Sequence, residues 1–202
     1  MQFSKFFKTV TGAGLLAASA VASALPVTYT FTGTASGTFG STAATPFTNQ
    51  LLTVRVTGDT VNVNTLQFGA GTPSISTGLT NTLTLGALLN TSITQPGLSV
   101  FNNQANRVVG LSVTQQADLF SLNDIPTLAT YGLVTNFGPV TDATPFFSQW
   151  VGVALATNGA MTLTNLTNAT FTAAVVPEPA SVALLLLGLG AVGVAVRRRV
   201  TA

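Results

Sequence analysis

The side chains able to do acid, base or nucleophilic chemistry are few in this 202-residue chain. Its carboxylates are Asp59, Asp118, Asp124 and Asp142, with Glu178 near the C-terminus. Hydrolysing a sugar bond requires two carboxyl groups flanking it, and Asp118 with Asp124 is the pair closest in sequence. Asp59 follows Gly58 and Asp142 follows Pro139, which marks both as turn residues, while Asp124 before Ile125-Pro126 suits a turn or a cap. A serine nucleophile needs a base, yet the chain has no histidine and both its lysines, Lys5 and Lys8, lie at the N-terminus. Cysteine is absent as well, which removes disulfides, thiolate chemistry and the usual zinc or iron ligands. The sequence predicts no catalytic residue, no metal site and no cofactor. For binding, Trp150 beside Phe146 and Phe147 is the dense aromatic group. It is the candidate for stacking on a sugar ring. The competing reading is core filling, since burying one such side chain stabilises by about 1.5–3 kcal/mol.

Both ends of the chain read as delivery segments. Lys5 and Lys8 precede an apolar, small-residue run from Val10 to Val21 that closes on Ala22-Ser23-Ala24. That is the pattern of a secretory signal peptide over residues 1–24, cut after Ala24 by a signal peptidase once a Sec translocon has engaged it. At the other end, Pro177-Glu178-Pro179 leads into an uncharged apolar run from Val182 to Val196 and then Arg197-Arg198-Arg199. As a helix, residues 180–196 would reach roughly 25 Å, near the lower limit for crossing the hydrocarbon core. Moving three arginines through the bilayer would cost roughly 8–10 kcal/mol, so this basic cluster is expected to stop in the cytoplasm with the body outside.

This tail, a Pro-Glu-Pro tripeptide followed by a short apolar helix and a terminal basic cluster, resembles the PEP-CTERM sorting signal of Gram-negative bacteria. The resemblance implies that residues 176–202 hold the body transiently at the inner membrane until an exosortase cuts near Pro177, Glu178 and Pro179. It further implies release to the cell surface or into extracellular polysaccharide. An uncut C-terminal anchor is the rival reading. The body is also similar to a recurring type of exported protein with such tails, through Thr32-Gly33-Thr34, Gly37-Thr38, Phe47-Thr48, Gly58-Asp59-Thr60 and Asn136-Phe137-Gly138-Pro139. Members of that type have no assigned enzymatic activity.

Residues 25–175 are expected to form one domain, large enough for a real hydrophobic core. Its only basic residues are Arg55 and Arg107, because the other cations belong to the two ends. Two separated arginines cannot neutralise a run of phosphates, so nucleic acid is excluded as a partner. Apolar residues alternate with Thr, Ser or Asn along Val27 to Thr32, Leu52 to Thr57, Val61 to Asn64, Thr82 to Leu85, Val108 to Val113, Val151 to Leu155, Met161 to Leu166 and Thr170 to Val175. A period of two marks half-buried strands, and threonine fits them because its branched Cβ suits extended backbone. Turns are predicted at Gly33 to Gly40, Gly58-Asp59, Gly69 to Pro73, Gly86, Pro96-Gly97, Gly138-Pro139 and Asn158-Gly159, the last being the best hairpin signal. Asn81 to Leu89 and Gln115 to Leu122 could each include a helical turn. The expected architecture is all-β, an antiparallel β-sandwich of jelly-roll type, between an N-terminal signal helix and a C-terminal transmembrane helix. The expected role is a non-enzymatic exopolysaccharide or biofilm-associated protein, with a carbohydrate-binding module or adhesin as the alternative.

Overall fold

A computed structural model of the chain describes residues 25–41, 44–113 and 117–176. The expected signal helix and transmembrane helix lie outside these residues, together with Ala22, Ala24, Pro177, Glu178, Pro179 and Arg197 to Arg199. Among the described residues no helix is long and apolar enough to cross a membrane.

The strands are β1 (Pro26–Gly40), β2 (Thr45–Asp59), β3 (Ser74–Ile75), β4 (Thr80–Leu85), β5 (Leu89–Thr91), β6 (Ser99–Asn103), β7 (Val108–Val113), β8 (Ala117–Leu122), β9 (Phe137–Asp142), β10 (Val153–Ala154) and β11 (Ala160–Val175). They form two antiparallel sheets. The larger has the order β10-β11-β1-β2-β4-β5, with β9 also against β11; the smaller has the order β3-β6-β7-β8. Short 3-10 turns at Thr60–Asn62 and Pro126–Thr130 are the helical elements among the described residues. The jelly-roll order expected from the sequence is not the one observed. A jelly roll sends successive strands to opposite sheets, whereas here β1 and β2, β4 and β5, and β6 to β8 stay beside their chain neighbours.

Strand β1 shows why the sequence folds this way. Its residues alternate strictly between buried and half-buried from Val27 to Gly40, so Val27, Tyr29, Phe31, Ala35 and Phe39 enter the core while the intervening Thr and Ser residues face out. Val54 and Val56 of β2, Leu83 and Leu85 of β4, and Phe171 and Ala173 of β11 extend the same inner face. The smaller sheet supplies Ile75, Val100, Val109, Leu111, Phe120 and Leu122 to the same core. Phe31 joins the two sheets, its ring 5.5 Å from Phe120 and 4.9 Å from Phe171.

Several local expectations change. The glycines from Gly33 to Gly40 do not make a turn but lie within β1. A Cβ on Gly37 would sit 2.1 Å from the Thr162 carbonyl oxygen, so this glycine permits the close approach of β11 at a shift in register. Val61 and Val63 do not form a strand. Asp59 Oδ1 accepts from Val61 N at 3.0 Å and winds Thr60–Asn62 into a 3-10 turn, leaving Val61 69% exposed. Gly138-Pro139 lies inside β9, an edge strand, where a missing N–H is tolerated. The stretches with possible helical turns contain β4, β5 and β8. The Asn158-Gly159 hairpin is present: both residues have positive φ, 67° and 78°, and Val153 pairs with Met161 across it.

Candidate functional site

On the smaller sheet, the face turned away from the shared core is roofed on one side by one loop and bordered along the β8 edge by another. The first, between the 3-10 turn and β3, is stitched down where Asn64 N donates to Ser74 O at 2.7 Å, Ser74 N to Asn64 O at 2.8 Å and Asn102 N to Pro73 O at 2.9 Å. Gln67 Oε1 accepts from the hydroxyls of Ser74 and Ser76 at 3.1 and 3.0 Å. The second loop, after β9, exchanges two backbone bonds between Phe146 and Ser121, at 2.9 and 3.0 Å. The first loop brings Phe68 and the second brings Phe146 to the face on which Phe101 lies.

Phe101 occupies this face because its register partner on β7 is Gly110. A Cβ on Gly110 would come within 2.8 Å of the Phe101 ring and of Ser121 Cβ, so the ring lies across the glycine. Phe68 packs against Phe101 with ring centroids 6.0 Å apart. Two residues along on the same face, Ser99, Ser112 and Asp118 stand in register on β6, β7 and β8, with the hydroxyls of Ser99 and Ser112 bonded at 2.7 Å. A shift in register between Leu111 and Ser112 accommodates Leu119, which is buried with the core, and sets Asp118 on the roofed face.

Two cavities result, of about 140 and 200 Å³, both lined by Phe101, Asn103 and Asp118. Phe68 and Thr72 complete the smaller; Asn123 and Phe146 are among those closing the larger. Burial pushes the Asp118 carboxyl above its ordinary value, since desolvation disfavours the charged form. The cleft therefore combines phenyl rings, carboxamides and one partly desolvated carboxylate.

The other carboxylates are committed elsewhere. Asp142 accepts from Asn123 N and Thr144 N, each at 2.9 Å. Asp59 caps its turn. Asp124, at φ 57°, makes an exposed ion pair with Arg107 at 3.2 Å; it neither caps the following 3-10 turn nor lines the Asp118 cavities. Asp118 and Asp124 are thus not brought together in one cavity. Among the described residues no group of three or more His, Cys, Asp or Glu side chains could hold a metal ion.

Trp150 departs from its expected role. It is 0% exposed and part of the core, so its indole offers no face on which a sugar could stack. Its neighbour Phe146 is the outward residue, 37% exposed and at the cleft. Tyr131 is likewise inward, stacked on Phe137 at 4.2 Å, and burial raises the phenol pKa of both Tyr131 and Tyr29. Of the aromatic cluster in the sequence, Phe146 lines this cleft, whereas Phe68 and Phe101 carried no local signal. Only the β6–β7 register and the loop before β3 bring them to Phe146.

The body is an antiparallel all-β domain whose last strand ends where a recognised signal begins. Residues 175–199 match the family model of the PEP-CTERM protein-sorting motif. This motif marks a protein exported and sorted to the cell surface, with an exosortase as the processing partner. No curated protein and no solved structure matches the chain.

Proposed function

We propose that the body is a non-enzymatic component of the extracellular polysaccharide matrix or biofilm. In this reading residues 1–24 direct export, residues 176–202 hold the body transiently at the inner membrane, and cleavage near Pro177 to Pro179 releases it. The observation that carries the proposal is the outer face of the larger sheet. Thr170, Thr32, Thr53, Thr84 and Asn90 stand in register across five strands, and the parallel row Thr172, Thr30, Arg55 and Thr82 carries a single charge. Hydroxyl pairs form within the array, between Thr28 and Thr57 at 3.1 Å and between Thr32 and Thr170. Such a face is wetted by neutral hydrogen-bonding groups, which meet polysaccharide hydroxyls without the desolvation cost of ions. A hydrolytic role draws no support from the carboxylates, whose expected pair is split between a cleft and an exposed ion pair. The alternative of a carbohydrate-binding module or adhesin is favoured by the Phe-lined cleft.

Fractionation with intact-mass measurement tests this proposal. In cells with an active exosortase, the protein recovered outside is expected to begin after Ala24 and to lack Arg197 to Arg199. Retention in the inner membrane with that basic end intact would reject release.

A further inference from the structure

The geometry points to the roofed cleft on the smaller sheet as a binding site for a single neutral sugar residue of a polysaccharide, bounded by Phe68, Phe101, Phe146, Asn103, Asn123 and Asp118. This rests on the matrix reading above and gives it a ligand class and a place.

The lining selects the ligand. A phenyl face is the negative side of the ring quadrupole, and the slightly positive C–H hydrogens along one face of a pyranose complement it. Phe146, 37% exposed, presents such a ring at the rim, while Phe101 and Phe68 form an apolar wall on the side of the smaller cavity. Asn103 Oδ1 already accepts from Asn106 N at 3.0 Å, so Asn103 offers a ligand its two amide N–H donors and at most one remaining lone pair. Asp118, when ionised, offers only acceptors, and its ion-pair partner is missing among the described residues. Donors from Asn103 and acceptors from Asp118, placed at opposite ends of the Phe101 ring, suit a ring that carries hydroxyls at several positions, each of which both donates and accepts.

The same lining disfavours other ligands. Among the described residues, Arg107, the nearest cation in sequence, is held by Asp124, and neither cavity is lined by Lys or Arg, so a sulfated or uronic-acid chain would bring its charge against Asp118 without compensation. A purely apolar guest would leave Asp118 and Asn103 desolvated and unpaired. Cavities of about 140 and 200 Å³ lie below the range of pockets that enclose drug-sized ligands, which favours one ring of a chain whose remainder stays in solvent.

The test uses the full chain, purified in neutral detergent, on an array of immobilised hexasaccharides of glucose, galactose, mannose and N-acetylglucosamine, with alginate hexasaccharide as the anionic probe. At least one neutral probe should retain the protein. Phe146→Ala and Asp118→Asn should each weaken that retention about tenfold or more, the scale of losing a charge-assisted hydrogen bond or its stacking equivalent. Phe146 is 37% exposed and its backbone bonds to Ser121 do not need the ring, so Phe146→Ala should lower the melting midpoint by a few degrees while keeping a single cooperative transition, which separates lost binding from lost fold. Retention by alginate alone, by no neutral probe, or equally by parent and both variants would overturn the assignment. Fractionation reads export independently, so a silent array with normal release rejects the cleft and leaves the matrix reading standing.

Discussion

Replacing Asn102 by aspartate exchanges one atom's chemistry at the tightest polar point of the core. Asn102 is 0% exposed; its Nδ2 donates to Leu128 O at 2.9 Å and Tyr131 O at 2.7 Å, while Oδ1 has no partner. In Asn102→Asp an ionised carboxylate would face two carbonyl oxygens at hydrogen-bonding distance, so folding must take up a proton. With an unfolded pKa near 3.9, carrying that proton to pH 7 costs roughly 4 kcal/mol, at about 1.4 kcal/mol per pH unit. The protonated side chain can serve one carbonyl, and losing the second bond adds about 1 kcal/mol. The sign follows from the raised folded pKa: the folded variant binds the extra proton, so its stability falls as pH rises above about 4. Unfolding free energies from urea titrations of variant and parent, followed through the buried Trp150, should differ by about 5 kcal/mol at pH 7 and about 1 kcal/mol near pH 4. Asn102→Ala should cost about 2 kcal/mol or somewhat more at both pH values, because each carbonyl keeps another donor, Tyr131 N for Leu128 and Gln104 Nε2 for Tyr131. An Asn102→Asp variant equally destabilised at both pH values would refute the reasoning.

Phe31→Ala should cost about 3–5 kcal/mol in urea denaturation, since the ring is fully buried and touches Phe120 of one sheet and Phe171 of the other; a loss below 1 kcal/mol would mean that the sheets do not meet there. Asp118→Asn should raise the melting midpoint at neutral pH and flatten the parent's gain in stability as pH falls from the raised folded pKa toward 3.8. A lowered midpoint at pH 7 would show that the carboxylate stabilises the fold.

The period-two pattern exposed most of the larger sheet. Val27, Tyr29 and Phe31, or Leu52, Val54 and Val56, alternate with polar residues, and every one of these six is fully buried. Alternation failed at Val61, where one Asp59 oxygen was enough to bend the chain, and it concealed the continuity of β11, whose two readable halves join through Asn168 at φ 51°. Glycine was ambiguous for a physical reason: the same missing Cβ serves a turn at Gly159 and a close strand contact at Gly37. The sorting motif was legible because its three parts are contiguous. The cleft was not, since Phe68, Phe101 and Phe146 are far apart in sequence and meet only through pairing that no local pattern records. Of the two readings of Trp150, core filling is the one observed; the choice was open because hydrophobicity alone does not say which member of an aromatic cluster turns inward.

The first strand of the body lies between the second and the last. Val27 pairs with Gly58 on one side and Val175 on the other, and Val176 N donates to Pro26 O at 2.8 Å. β1 is the first strand in chain order, but one of its edges stays open until β11, the last, is available to pair with it. The residues that complete that edge run directly into the sorting motif. Closure of the sheet therefore waits for almost the whole body, and until then an unpaired strand edge invites association with neighbouring chains. On the proposed reading of residues 176–202 as a transient anchor, each molecule's own tail would keep such open edges apart while the ladder closes.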